Sequence, residues 1–216
     1  AGSDHISAAD AQALYNVTQG LSRAAANGVR TLVMQPTHLM KRLEYNERAE
    51  EASACSGAFE RTAVGAPLLT TDADFRAVAE AIIRDTAAYD DGRTAICFMG
   101  HGTEAKSNQV YGRLQNLLSE NGYPHYYVGT VEAEPSLEDV LEAVRKGNYA
   151  RVLLQPLMIV AGDHANNDMA GGEGSWKQAF EKAGYAVECR LRGLGELEAI
   201  RNLFVKHARE AMGDWD

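Results

Sequence analysis

Three side chains at the ends of apolar runs have the chemistry to share one divalent metal ion. His101 follows the run TAICFMG and precedes Gly102, which exposes its ring where a strand would end. His164 follows RVLLQPLMIVAG and sits among Asp163, Asn166, Asn167 and Asp168, and Glu44 lies in the charged stretch after Gln35-Pro36. Two imidazoles and a carboxylate, with coordination positions left over, suit a borderline ion such as Co²⁺, Fe²⁺, Ni²⁺ or Zn²⁺. No cysteine joins the set, which speaks against a structural zinc site. None of the three lies in a compact ligand motif, so an Asx-rich turn capped by His164 stands as the alternative reading. Asp163 and Asp168 are the expected partners for the His164 ring. His38 reads equally as a core, supporting or ligating residue. His5, His125 and His207 read as structural or solvated, with His207 on an exposed-looking helix face. Lys41, Arg42 and Lys106 are the nearest cations for the carboxylates of a ligand.

These residues depend on elements that alternate. Apolar positions at helical spacing predict a helix over 7–27, closed by Asn27-Gly28. Further helices are expected after Pro36, over 74–88 with Asp72 as its cap, from 102 to about 120, from Pro135-Ser136 to 146, over 175–182 and over 196–212. Between them lie short apolar runs at 31–36, 61–69, 94–100, 126–131, 151–156 and 186–191. Strands separated by helices of this kind make βαβ units and a parallel sheet, whose ligands bind beyond the carboxyl ends of the strands. His101 and the 153–176 loop fall at such ends.

An internal repeat divides the chain. LSRAAANGVRTLVMQP at 21–36 matches LEAVRKGNYARVLLQP at 141–156 at an offset of 120, so that Glu44 falls on His164. The expected fold is α/β, with two pseudo-symmetric halves of parallel sheet flanked by helices: 1–92, 93–195, and a C-terminal helix at 196–216 packing across them. Glu44 and His164 would then face each other across the cleft between the halves. The second half opens with the 94–100 strand and the first has no counterpart, so the first half is expected to be incomplete.

The chain has 216 residues and a formal charge of −9, with no basic stripe, which argues against a nucleic-acid partner. No apolar run reaches the roughly 18 residues of a membrane span. Cys55, Cys97 and Cys189 are scattered and odd in number, which excludes a disulfide framework and suits buried reduced thiols. Nothing resembles a phosphate-binding glycine loop, so no nucleotide or organic cofactor is expected.

MGHG at 99–102, PLMIVAGDHANNDMAG at 156–171, SWK at 175–177, GLGE at 193–196 and QPTHLMKRLEY at 35–45 resemble the anaerobic sirohydrochlorin cobalt chelatases of cobalamin biosynthesis, over nearly the whole chain from about residue 10. The resemblance implies two α/β halves clasping a tetrapyrrole, and Co²⁺ as substrate metal bound by His101, His164 and Glu44. It differs in two places: the family's first strand and its Gly-Thr-Ser-type loop are absent, and Arg42-Leu43 replaces a Gly-Asp. The implied activity is insertion of Co²⁺ into sirohydrochlorin by a metal-inserting lyase, with His164 as the better proton acceptor and His101 as a simple ligand. An Fe²⁺ chelatase for sirohaem or haem, and a non-enzymatic tetrapyrrole or metal carrier, remain the alternatives. The expected compartment is the cytoplasm, or the periplasm if a signal precedes the sequence. Self-association into a homo-oligomer is left open.

Overall fold

The computed structural model describes residues 17–40 and 56–213. The expected helix after Pro36, with Lys41, Arg42, Glu44 and Cys55, lies outside the described residues, as does the start of the first helix. The chain forms two compact units. Among the described residues the first holds 17–36, 56–67 and 205–213, and the second holds 37–40 and 68–204. The expected boundaries at 92 and 195 therefore both fall inside the second unit.

In the first unit, α1 (Val17–Ala26) ends at Gly28, whose φ of 76° turns the chain back so that Gly28 and Val29 donate to Ala25 and Ala24. Strands β1 (Thr31–Met34) and β2 (Arg61–Val64) pair in parallel, Thr31 opposite Arg61. The Gln35 amide then donates to the Ala66 carbonyl at 2.8 Å. His207 belongs here and corrects the expectation of an exposed face: it is 3% exposed, with Nδ1 3.2 Å from the Ala66 oxygen.

The second unit is built on a four-stranded parallel sheet in the order β4-β3-β5-β6, from β3 (Thr94–Gly100), β4 (Tyr126–Thr130), β5 (Arg151–Pro156) and β6 (Ala186–Cys189). Every residue of β3 is buried, because helices cover both faces of this central strand. Its alternating side chains feed two cores. Ile96 and Phe98 meet α2 (Asp72–Thr86), α3 (Gln109–Glu120) and the start of α6 (Glu198–Met212), through Phe75, Val78, Leu114, Ile200 and Phe204. Ala95, Cys97 and Met99 meet α4 (Leu137–Arg145) and α5 (Trp176–Lys182) through Val140, Val144, Trp176 and Phe180. Burial pushes the Cys97 thiol far above the ordinary cysteine range.

Helix starts follow their caps. Ser136 opens α4 and Thr71 opens α2, each in a reciprocal capping box with the aspartate three residues on. The cap of α2 is thus Thr71 rather than Asp72. Among the described residues no helix is long and apolar enough to cross a membrane.

Candidate metal centre

Three neighbouring strands, β4, β3 and β5, finish side by side, with Gly100 paired to Thr130 and Met99 to Pro156. The loop leaving each one carries a potential ligand: His101 after β3, Glu132 after β4 and His164 after β5. One donor atom from each lies within 4.8 Å of the others. The two imidazoles meet edge to face, with centroids 4.4 Å apart and planes at 79°. His101 Nδ1 lies 3.1 Å from Glu132 Oε2. Donors that share one first-row ion through bonds of about 2.0–2.2 Å sit roughly that far apart.

Backbone constraints put His101 and Glu132 there. The ladder between β3 and β4 continues past the strand ends, so Val131 donates to Gly100 at 3.0 Å and Glu132 to His101 at 2.9 Å. His101 is held between two glycines that tolerate no side chain. A Cβ on Gly100 would stand 2.2 Å from the buried Tyr111 ring. At Gly102, where φ is +87°, it would stand 2.8 Å from the Ala133 nitrogen. Asn108 ties the two loops together: its oxygen accepts the Thr103 N–H at 3.0 Å and its amide donates to the Glu134 carbonyl at 2.5 Å.

His164 stands at the head of a wide helical turn over Ala165–Met169, where the sequence pattern predicts an open loop. Asn166 starts the turn by bonding Gly162 O through both its backbone N–H and its side chain, at 3.1 and 2.8 Å. Ala165 and Met169, four apart and fully buried, anchor it to the core. The turn brings Asp168 round to 2.7 Å from His164 Nδ1. Upstream, the backbone of Met158 and Ile159 accepts the N–H groups of Leu194 and Gly195 at 2.8 and 2.9 Å. A Cβ on Gly193 would stand 2.5 Å from Ile159 O, so GLGE clamps the chain that delivers His164.

Of the expected residues, the structure brings His101 and His164 together and assigns the His164 ring to Asp168. Asp163 is exposed, and Lys106 is exposed on a short turn over Lys106–Asn108. His38 is half-buried, and its carbonyl accepts the Leu68 N–H at 2.9 Å. His125 bonds Asp90 at 2.9 Å. Among the described residues the carboxylate grouped with both histidines is Glu132, which is not among the residues expected from the sequence. The signal was present, since Glu132 follows the strand YYVGT as His101 follows its own. The repeat pointed elsewhere: 132 − 120 = 12, and residue 12 is Gln.

A family profile described as cobalt chelatase (CbiK) matches residues 5–213. The chain belongs to the CbiK cobalt chelatase family. It is 34% identical over 195 residues to a sirohydrochlorin cobaltochelatase of Salmonella typhimurium, covering 90% of this chain and 73% of that protein. It is 31% identical over 188 residues to sirohydrochlorin cobaltochelatase CbiKC of Nitratidesulfovibrio vulgaris, covering 86% of this chain and 66% of that one. The fold also resembles two solved structures. SirB of Bacillus subtilis with Fe³⁺ matches with TM-score 0.65 at 15% identity, over 94% of this chain and 82% of SirB. The sirohydrochlorin chelatase SirB of Bacillus subtilis subspecies spizizenii with cobalt matches with TM-score 0.64 at 14% identity, over 93% and 77%. Two imidazoles and a carboxylate at the ends of neighbouring strands are donor types that suit a borderline divalent ion.

Proposed function

We propose that this chain inserts Co²⁺ into sirohydrochlorin, and that His101, Glu132 and His164 hold the incoming ion. The observation that carries the reading is the convergence of those three donors within 4.8 Å, at the ends of neighbouring strands, in a cobalt chelatase family chain. Both histidines keep about a third of their side-chain surface open, so an ion held there remains within reach of a macrocycle. Nδ1 of His164 is committed to Asp168, which leaves Nε2 to face the ion and fixes the ring's tautomer. Glu132 supplies the negative charge that offsets part of the ion's.

Insertion exchanges two pyrrole N–H protons for the metal: Co²⁺ and the metal-free macrocycle give the cobalt macrocycle and two protons. A histidine cannot ligate and accept a proton through one lone pair, so the roles follow each other in time. Once the metal passes to the ring nitrogens, His164 is freed as a base, and Asp168 stabilises the imidazolium that forms. Glu132 takes the second proton. Glu44 remains a proposed ligand from the segment after Gln35-Pro36, and the experiment separates the two carboxylates. Steady-state insertion of Co²⁺ into sirohydrochlorin should fall at least about 100-fold in His101→Ala, His164→Ala and Glu132→Gln. Equal losses in Glu44→Gln would make it a fourth participant, and full activity in Glu132→Gln would remove Glu132 from the site. Running Fe²⁺ and Ni²⁺ beside Co²⁺ tests the metal, because this donor set accepts all three.

A further inference from the structure

Glu132 owes its place to the backbone. Its carboxylate reaches His101, yet 52% of its side-chain surface is open, so packing does little to fix it. Its direction is inherited from the turn that carries it, and a buried side chain closes that turn. Thr130, the last residue of β4, is 1% exposed. Its N–H donates to the Pro135 carbonyl at 2.7 Å, which joins the two ends of the turn. Inside the turn the Thr130 hydroxyl accepts the Ala133 N–H at 3.1 Å and donates to the Ala133 carbonyl, with the Pro135 carbonyl 3.3 Å away. Both backbone polar groups of the residue after Glu132 are therefore tied to one oxygen.

Thr130 also meets the loop of His101. A Cβ on Gly102 would stand 2.9 Å from Thr130 Cβ and Oγ1 and 2.8 Å from the Ala133 nitrogen, so the Gly102 backbone lies against the bond that closes the turn. The Gly102 N–H donates to the hydroxyl of Tyr111, itself 1% exposed, at 3.3 Å. One buried residue from β4 and one from α3 thus locate the glycine beside His101. Valine matches threonine in shape and favours strands as strongly, so it would keep the contact with Gly102 and lose only the bonds to Ala133.

We propose that Thr130 is a positioning residue for the incoming ion, its hydroxyl setting where Glu132 presents its carboxylate relative to His101. This deepens the reading above and rests on Glu132 being a ligand.

The test is titration of the metal-free whole chain with Co²⁺, followed by visible absorption, in a cycle of Thr130→Val, Glu132→Ala and the double variant, with Thr130→Ser beside them. Thr130→Val should lower Co²⁺ affinity about ten-fold, and Thr130→Ser, which keeps the hydroxyl, should stay within about three-fold of the wild type. Once Glu132→Ala has removed the carboxylate, Thr130→Val should cost less than about two-fold. A threonine that only stabilises the fold would lower affinity equally in both backgrounds, so an additive cycle overturns the proposal. Unchanged affinity in Thr130→Val, with affinity lost in Glu132→Ala, also overturns it and leaves Glu132 standing as a ligand. Unchanged affinity in Glu132→Ala overturns both the proposal and the ligand role of Glu132. If Thr130→Val does not fold, Thr130→Ser against Thr130→Ala makes the same comparison of hydroxyl with none in the same two backgrounds.

Discussion

At the scale of single residues, the His164–Asp168 pair is the most exposed to test. Asp168 touches the ring at Nδ1, opposite the nitrogen proposed to face the ion, so its effect would pass through the imidazole. Asp168→Asn should lower Co²⁺ affinity by roughly 10- to 100-fold, while leaving thermal stability within about 0.5 kcal/mol, because the side chain is 44% open. Titration of Co²⁺ by its visible absorption reads the affinity, and an unchanged affinity would show that Asp168 only decorates the turn. Both histidines were legible in the sequence because each directly follows an apolar run and is flanked by glycine or acid. Glu132 was not singled out, because an isolated acid after a strand is common and only the ladder continuing through Val131 and Glu132 marks this one.

At the scale of elements, six strands and, among the described residues, the helices between them were readable because buried parallel strands are unbroken apolar runs and several of the helices begin at recognisable caps. The turn over Ala165–Met169 was not, since Asn and Asp favour loops and the opposing signal was one buried pair, Ala165 and Met169. Asn108 was equally silent in sequence, its role being to bond two loops that are distant along the chain. Replacing it with Leu removes both bonds, lets the His101 and Glu132 loops separate, and should weaken Co²⁺ binding several-fold with little effect on overall stability; calorimetric titration beside a thermal melt checks this. At the opposite edge of the sheet, Asp91 accepts the Arg93 N–H at 3.0 Å and pairs with Arg151, which holds its carboxyl at about 2. The first-named bond is the larger cause. A carboxyl depressed in the folded state stabilises fully above the ordinary value of about 3.9, and that contribution is lost as pH falls towards 2. Asp91→Asn should flatten this stretch of an acid-unfolding curve followed by circular dichroism, and a curve unchanged between pH 4 and 2 would count against it.

At the scale of the whole molecule, the proposed ligation by side chains from three separate loops would link metal binding to folding. Co²⁺ at about 100 times its dissociation constant should stabilise the native state by about 2.7 kcal/mol, a rise in Tm on the order of 5 °C or more. Glu132→Gln and His101→Ala should abolish that rise, whereas Lys106→Gln should keep it. The burial of Cys97 gives access to the same linkage by another route. This thiol lies in the middle of β3, four residues before His101, and is wholly enclosed. In a variant with serine at Cys55 and Cys189, a disulfide reagent can reach sulfur only when the central strand opens. Its rate of attack therefore clocks that opening. Cobalt should slow the clock if the loops at the strand's end are what the ion fastens, so the innermost strand becomes a timer for events at the protein's surface.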